Sequence, residues 1–382
     1  MKITLKNTPE QVELVKAMAS RNRAVAYEAQ TALAEFIGPV LAEVINNAPA
    51  LSNLFTTLQY NADDNPSIPL DLYFDVSDED YVQVYSQSRA GGLPTSEVLP
   101  TSSELKVATY SLDSAVSFDR RYAAKSRMDV VAKTMTRVAQ EILLKQNTIS
   151  ANVVLKALAN ASTAGSDHVL TSAAADRFVL ADLNALITRS KRIVTSFVGG
   201  TPDARSGRGI TDIICSPEIV EELRAIAYNP INTKSAPGGQ AHSSNSQGIR
   251  TADEIASQAY NAAGAPEFYG INVIELNELG GTGLGSTNQK FNVIFGTEAA
   301  SGSTTAQTFN GHDGDEIVIG IDRSRESLVR PVAVDADNGG EFNLIADDQY
   351  SIRQNKIGYF GSLEEGRVVL DDRALVGTIV TS

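Results

Sequence analysis

The chain has 382 residues, 42% of them apolar, and its 46 acids against 32 bases give a formal net charge of −14. That length exceeds one ordinary domain and predicts two or more packed units. The negative balance excludes a tight nucleic-acid wrapper, leaving only a weak lining contact, and the single cysteine, Cys215, excludes an internal disulfide or a thiolate metal site.

No apolar run approaches the roughly 18 residues of a membrane helix. The opening MKITLKNTPEQVEL has no signal-peptide core. A soluble protein made inside the cell, with no membrane partner, is expected.

Thr8-Pro9-Glu10-Gln11 starts the first helix: Thr8 caps, Pro9 suits the first helical position, and Gln11 completes a capping box. Apolar residues then recur at helical spacing from Ala26 to Val44, and Gly38-Pro39 predicts a break. Residues 1–50 read as a helical arm, interrupted once.

The period then changes. Ile68, Leu70, Leu72, Phe74 and Val76 alternate with polar or turn residues, as on a half-buried strand. Tyr81–Gln87 fits a second strand, and Tyr110, Leu112, Val116 and Phe118 mark a third. Between them lies the breaker-rich Arg89-Ala90-Gly91-Gly92-Leu93-Pro94. Residues 51–118 therefore read as an extended β-hairpin loop without a core of its own. Residues 61–80 carry seven acids and no base. These acids form either a solvated strand face or an interface for basic residues such as Arg120, Arg121, Lys125 and Arg127, which are expected at the hairpin's foot.

Ser126 looks like the cap of a long helix, with Asp129 in its first turn. Met128, Val131, Met135, Val138 and Ile142 begin one apolar face, and no Gly or Pro intervenes from 127 to 164. A helix running from there to about residue 164 is predicted, on the order of 50 Å long. Residues 165–330 alternate between types: helices at 179–198, 216–227 and 251–263, and strands at 210–215, 271–276, 291–295 and 316–321. A polar, breaker-rich surface loop is expected at 229–250. Residues 331–382 return to strands at 350–357, 367–370 and 374–380.

Chemistry is hard to find. Gly280-Gly281-Thr282-Gly283-Leu284-Gly285 misses the nucleotide-loop spacing and no Lys-Ser/Thr follows. His312-Asp313-Gly314-Asp315-Glu316 lacks the calcium-loop pattern. His168, His242 and His312 are scattered and fall in expected loops. Cys215 sits in the apolar run Asp212-Ile213-Ile214-Cys215 and reads as a small buried hydrophobe. No catalytic, cofactor or metal residue is assigned.

The order of elements, namely arm, two-stranded loop, long helix, α/β unit and returning strands, resembles that of the major capsid proteins of tailed bacteriophages, whose fold encapsulin shells share. The closest local likeness is Tyr350–Val380, with Arg353 and Gly358 in an extended strand, followed by Arg367-Val368-Val369-Leu370-Asp371-Asp372-Arg373-Ala374. Ile213-Ile214-Cys215-Ser216-Pro217 and Tyr269-Gly270-Ile271-Asn272-Val273 also look like parts of that family.

The resemblance implies an α+β capsid fold. Residues 119–164 would be the spine helix of a peripheral domain, 165–330 an axial domain, and 331–382 a return to the peripheral sheet. It implies a non-enzymatic shell subunit forming hexamers and pentamers around double-stranded DNA, in a virion assembled in the host bacterial cytoplasm. Portal, scaffolding and decoration proteins are the further partners it suggests. Ile68, Leu70, Leu72, Phe74, Val76, Arg89, Arg120 and Arg121 would make intersubunit contacts. An encapsulin-type compartment and an α/β nucleotide-binding enzyme are the rival readings. Some family members crosslink a loop lysine to a neighbour's asparagine. Here residues 61–105 contain no lysine, and Lys106 and Asn355 form no obvious pair, so a noncovalent shell is expected.

Overall fold

The computed structural model describes residues 8–46, 48, 50–61, 65–69, 104–161, 168–174, 177–193, 209–228, 267–268, 270–280, 315–334, 341–347 and 355–381. In chain order the helices are α1 (Pro9–Met18), α2 (Arg23–Asn46), α3 (Arg120–Ala124), α4 (Met128–Ala161), α5 (Leu180–Ile193) and α6 (Pro217–Tyr228). The strands are β1 (Thr56–Asn61), β2 (Ser67–Pro69), β3 (Glu104–Lys106), β4 (Thr109–Asp119), β5 (Val169–Thr171), β6 (Asp212–Cys215), β7 (Glu267–Phe268), β8 (Ile271–Glu275), β9 (Glu316–Ile321), β10 (Leu328–Val334), β11 (Asn343–Asp347), β12 (Lys356–Gly366), β13 (Val368–Val369) and β14 (Leu375–Val380). The class is α+β. The chain divides into two compact units: Met1–Pro69, Glu104–Ser150 and Leu328–Val368 form the first, and the rest form the second.

The first unit is a sheet with helices on one face. Its strands run β1-β10-β12-β11, with β4 along β12 and β13 beside β10. β12 is the organising strand. It pairs antiparallel with all of β4, from Lys356↔Asp119 to Gly366↔Thr109, and with β11 and β10 on its other edge. Alternation sends Ile357, Tyr359 and Leu363 into the core, while Phe360 stays exposed opposite Ile345.

Against the covered face pack Val15, Met18, Leu33, Ile37, Leu41 and Ile45 of α1 and α2, and Val131, Met135, Val138 and Ile142 of α4. The segment expected as a helical arm lays its apolar stripe into the core of its own chain. Its break also falls elsewhere. Thr8 Oγ1 accepts from Gln11 N–H, but Gln11 Oε1 has no partner, so the capping box closes on one side only. The interruption lies at Ala19–Asn22, where Asn22 Oδ1 accepts from Ala24 N–H at 3.2 Å and starts α2.

Pro39 sits inside the continuous α2. One lost backbone bond there is outweighed by burying Ile37 and Leu41 on either side. The bare Gly38 faces Phe342 and Leu344.

Ser126 is also corrected. It does not cap the long helix but ends α3, in a left-handed conformation with φ 54°. Its N–H donates to the Ala123 carbonyl and Arg127 N–H to the Tyr122 carbonyl, at 2.9 and 3.0 Å. This is the Schellman pattern that satisfies a helix end. α4 starts after it and runs 34 residues, about 50 Å.

The second unit is built on a sheet ordered β5-β14-β9-β6-β8-β7. β14 pairs parallel with β5 and antiparallel with β9, and β6 pairs parallel with β8. β6 and β14 are buried along their whole length. Parallel and central strands covered on both faces need such continuous apolar runs. Leu183 and Leu186 of α5, Ile219 and Val220 of α6, Phe178, Ile213, Val273, Val318 and Val376 form the core.

Several sequence boundaries change. β14 belongs to this second sheet and not to the returning peripheral strands, whereas β10 starts before residue 331 and belongs to the first. Most of the strand expected at 350–357 lies outside the described residues; the strand described there is Lys356–Gly366, entered through Asn355 with φ 51°. No strand is expected from the sequence at β1, β3, β5, β7, β10 or β11. The expected loop at 229–250, helix at 251–263 and strand at 291–295 lie outside the described residues.

Candidate assembly site

The expected hairpin is narrower than 51–118. β1 is a parallel partner of β10, and β4 is the full-length partner of β12, so both belong to the first unit's sheet. Leu112, Val116 and Phe118 pack into its core. The hairpin proper is rooted in a separate two-stranded sheet, where β2 pairs antiparallel with β3 and Ile68 faces Leu105. Val107 N–H closes the root on the Pro66 carbonyl at 3.1 Å. Ile68 is buried there. Leu70, Leu72, Phe74, Val76, Arg89 and nearly all of the acidic run lie outside the described residues.

Arg120 and Arg121 are not at this root. They follow the far end of β4, which is 11 residues long, so about 35 Å of strand separates them from it. Asp119 caps α3 by accepting from Arg121 N–H at 2.9 Å, and takes the Arg121 guanidinium through Nε and Nη2 at 3.0 and 2.8 Å. Those side-chain bonds hold the Asp119 carboxyl below its usual range and raise the arginine. Arg120 N–H donates to the Asn355 carbonyl at 3.2 Å. The basic cluster is therefore partly engaged locally, and Arg127 also reaches Asp129 at 3.6 Å.

The residues that hold the hairpin legs in the sheet form a polar group the sequence reading missed. Glu365 and Arg367 are fully buried, and Arg330 is nearly so. Glu365 accepts from Arg330 Nε at 2.7 Å, Arg367 Nη2 at 3.1 Å, Gln146 Nε2 at 3.0 Å and Tyr110 Oη at 2.9 Å. Arg367 also donates to Ser150 Oγ and the Ser52 carbonyl, and lies 5.2 Å over the Phe55 ring. Arg330 reaches Asn46 Oδ1 at 3.2 Å. One carboxylate and two guanidiniums thus join α2, β4, α4, β10 and β12. Burial and the Glu365 charge push the Tyr110 hydroxyl well above its usual range. The signal was visible in Leu328-Val329-Arg330-Pro331-Val332, because an arginine inside an apolar run needs a buried partner.

In the second unit the described Cys215, His168 and Glu222 are each engaged in packing or hydrogen bonding. Cys215 is buried and its thiol is pushed up to about 12, chiefly by burial. His168 is not in a loose loop: its Nδ1 lies 2.8 Å from the Leu375 carbonyl and its own carbonyl accepts from Gly377 N–H, which locks β5 to β14. Glu222 is raised, chiefly by burial, and accepts from Phe178 N–H at 2.6 Å. Among the described residues, no group of three or more metal-ligating side chains converges and no helix is long and apolar enough to cross a membrane. His242, His312 and residues 281–285 lie outside the described residues.

No protein-family profile matches the chain, and no curated protein matches it. Among solved structures it is similar to the capsid of a native GTA particle, at 10% identity and TM-score 0.48, covering 87% of this chain and 90% of that one. The capsid of Cyanophage P-SCSP1u gives 13% identity and TM-score 0.46, with 86% and 87% covered. The SrpI encapsulin of Synechococcus elongatus gives 12% and 0.39, with 73% and 76% covered.

Proposed function

We propose that this chain is the major capsid subunit of a tailed bacteriophage, a structural protein without enzymatic activity that assembles through hexamers and pentamers into an icosahedral shell. The observation that carries this is the hairpin root. β2 and β3 stand as a two-stranded sheet of three residue pairs beside a unit that already has a complete core. An isolated two-stranded hairpin is marginal in water. Ile68 is already buried at the root within its own chain, so the rest of the alternating set, Leu70, Leu72, Phe74 and Val76, would supply the apolar face that a neighbouring subunit covers. Many copies of one modest contact then add up to a stable shell.

Double-stranded DNA is the proposed content, touched weakly and without sequence specificity by a chain of net charge −14. Assembly in the host bacterial cytoplasm and portal, scaffolding and decoration partners follow from the same reading. Negative-stain microscopy of the expressed protein tests it directly: closed shells are expected. Leu72→Asp with Phe74→Asp should leave folded subunits that form no shells, and normal particles from that variant would refute the docking role. Because residues 61–105 lack lysine, particles boiled in detergent should run as monomers, and a covalent ladder would overturn noncovalent hardening.

A further inference from the structure

We infer that Glu364 is a positioning residue that seats the hairpin on the sheet, because one of its carboxylate oxygens takes a hydrogen bond from each hairpin leg. Thr109 Oγ1 donates to Glu364 Oε1 at 2.8 Å, and Tyr60 Oη donates to the same oxygen at 3.2 Å. Tyr60 lies near the end of β1, just before the chain enters the hairpin. Thr109 opens β4, just after the chain leaves it. The two donors are thus the entry and the exit of one excursion.

The strand registers place all three on the same side of the sheet. Gly366 pairs with Thr109, so Glu364, two residues earlier on β12, shares the Thr109 face. Val332 pairs with Glu365, which puts Ala333 and its partner Tyr60 on the opposite face from Glu365 and hence on that of Glu364. Adjacent glutamates therefore divide the work. Glu365 points inward and anchors β4 through Tyr110, and Glu364 points outward and gathers the two legs.

Gly366 completes the seat. A Cβ there would fall 3.0 Å from the Ala108 carbonyl oxygen, 3.1 Å from Val107 Cγ1 and 3.2 Å from Pro331 Cγ. The missing side chain lets the exit leg lie down against β12 and β10. The root itself has only three residue pairs, so its direction depends on this seat more than on its own ladder. A neighbour can be reached productively only if that direction is held, since a loosely aimed segment pays its ordering entropy on docking.

The proposal rests on the hairpin being the intersubunit tie, so the test separates the two. Amide hydrogen exchange of the full-length subunit is measured at Ile68, Leu105 and Val107, with Ile357 and Tyr359 as internal references. Glu364→Ala should speed exchange at the root about tenfold, the equivalent of one charge-assisted hydrogen bond, and leave the references unchanged. Glu364→Gln, which keeps an acceptor oxygen in place, should restore most of the protection.

Tyr60→Phe with Thr109→Val should reproduce the alanine result, and adding Glu364→Ala to that pair should change nothing more. Root exchange at the wild-type rate, or equal loosening of the references, would overturn the seat. If the root loosens and shells still form at the wild-type yield, the positioning role is overturned. Failure of the wild-type chain to form shells strikes the capsid reading alone and leaves the exchange result standing.

Discussion

The two units solve the burial problem in different ways. The second is filled by aliphatic side chains: Ile213, Ile214, Val318, Ile319 and Val376 are at most 2% exposed. Its buried polar contacts include His168 on the Leu375 carbonyl, which serves strand registry, and the ion pair of Arg325 with Asp371. The first unit carries the same kind of apolar layer between its helices and sheet but adds a buried Arg330–Glu365–Arg367 group at the hairpin end of β12. An apolar core accepts volume-conserving swaps and gives little direction. A buried charge group is intolerant, because each ion is affordable only while its partners stay in place. Both units bury an ion pair, and the first concentrates three buried charges on one carboxylate.

The largest effect that would break this comparison comes from Glu365→Ala. It leaves two buried guanidiniums without their carboxylate and should cost the first unit about 3–5 kcal/mol, read as a lower denaturation midpoint. A loss below 1 kcal/mol would show that the group is not a keystone. In the second unit the sharpest packing test is Gly320→Ala. The added methyl would lie 2.9 Å from Ile210 Cδ1, 3.0 Å from Val376 Cγ2 and 3.1 Å from Leu186 Cδ2. Overpacking of about 1–3 kcal/mol is expected, with the first unit's transition unmoved.

Alkaline titration separates the units by a different route. The Cys215 thiol has an ordinary value of 9.0 and is pushed up to about 12 by burial. The unfolded chain therefore loses this proton first, and the second unit's stability falls by about 1.4 kcal/mol per pH unit between those values. Tyr110 and Tyr359 are both raised by burial from 10.0, so the first unit should weaken only above pH 10. A thiol reagent at pH 8 should find Cys215 unreactive until unfolding. The smallest effect is a gain. Ser126→Gly relieves a left-handed φ of 54° and removes a buried hydroxyl without a partner, which should raise stability by about 1 kcal/mol.

Local patterns were legible where local physics decides the outcome. The Thr8-Pro9 start, the uninterrupted 127–164 stretch and the apolar Asp212–Cys215 run each became the expected element. The sequence also marked Cys215 as a buried small residue, and its alternation named Tyr110–Phe118 as a strand. It misled where two local signals compete. Gly38-Pro39 reads as a break, but packing of Ile37 and Leu41 holds α2 together. Ser126 reads as a cap, but it ends the short α3 that precedes the long helix.

Strand partnership was not legible at all. Alternation says which face of β4 is buried and nothing about whether β1 or β12 lies beside it, because backbone hydrogen bonds carry no residue code. For the same reason residues 60, 109 and 364 show no relation in the chain and meet at one oxygen in the fold. The sequence by itself determined the types of the longest elements and the net acidic charge. Only the tertiary structure decided that the helical arm folds into its own core, that β14 crosses to the second sheet, and that the hairpin is rooted at residues 67–69 and 104–106. Those outcomes depend on contacts between residues up to 341 positions apart, and only the closed chain brings such residues together.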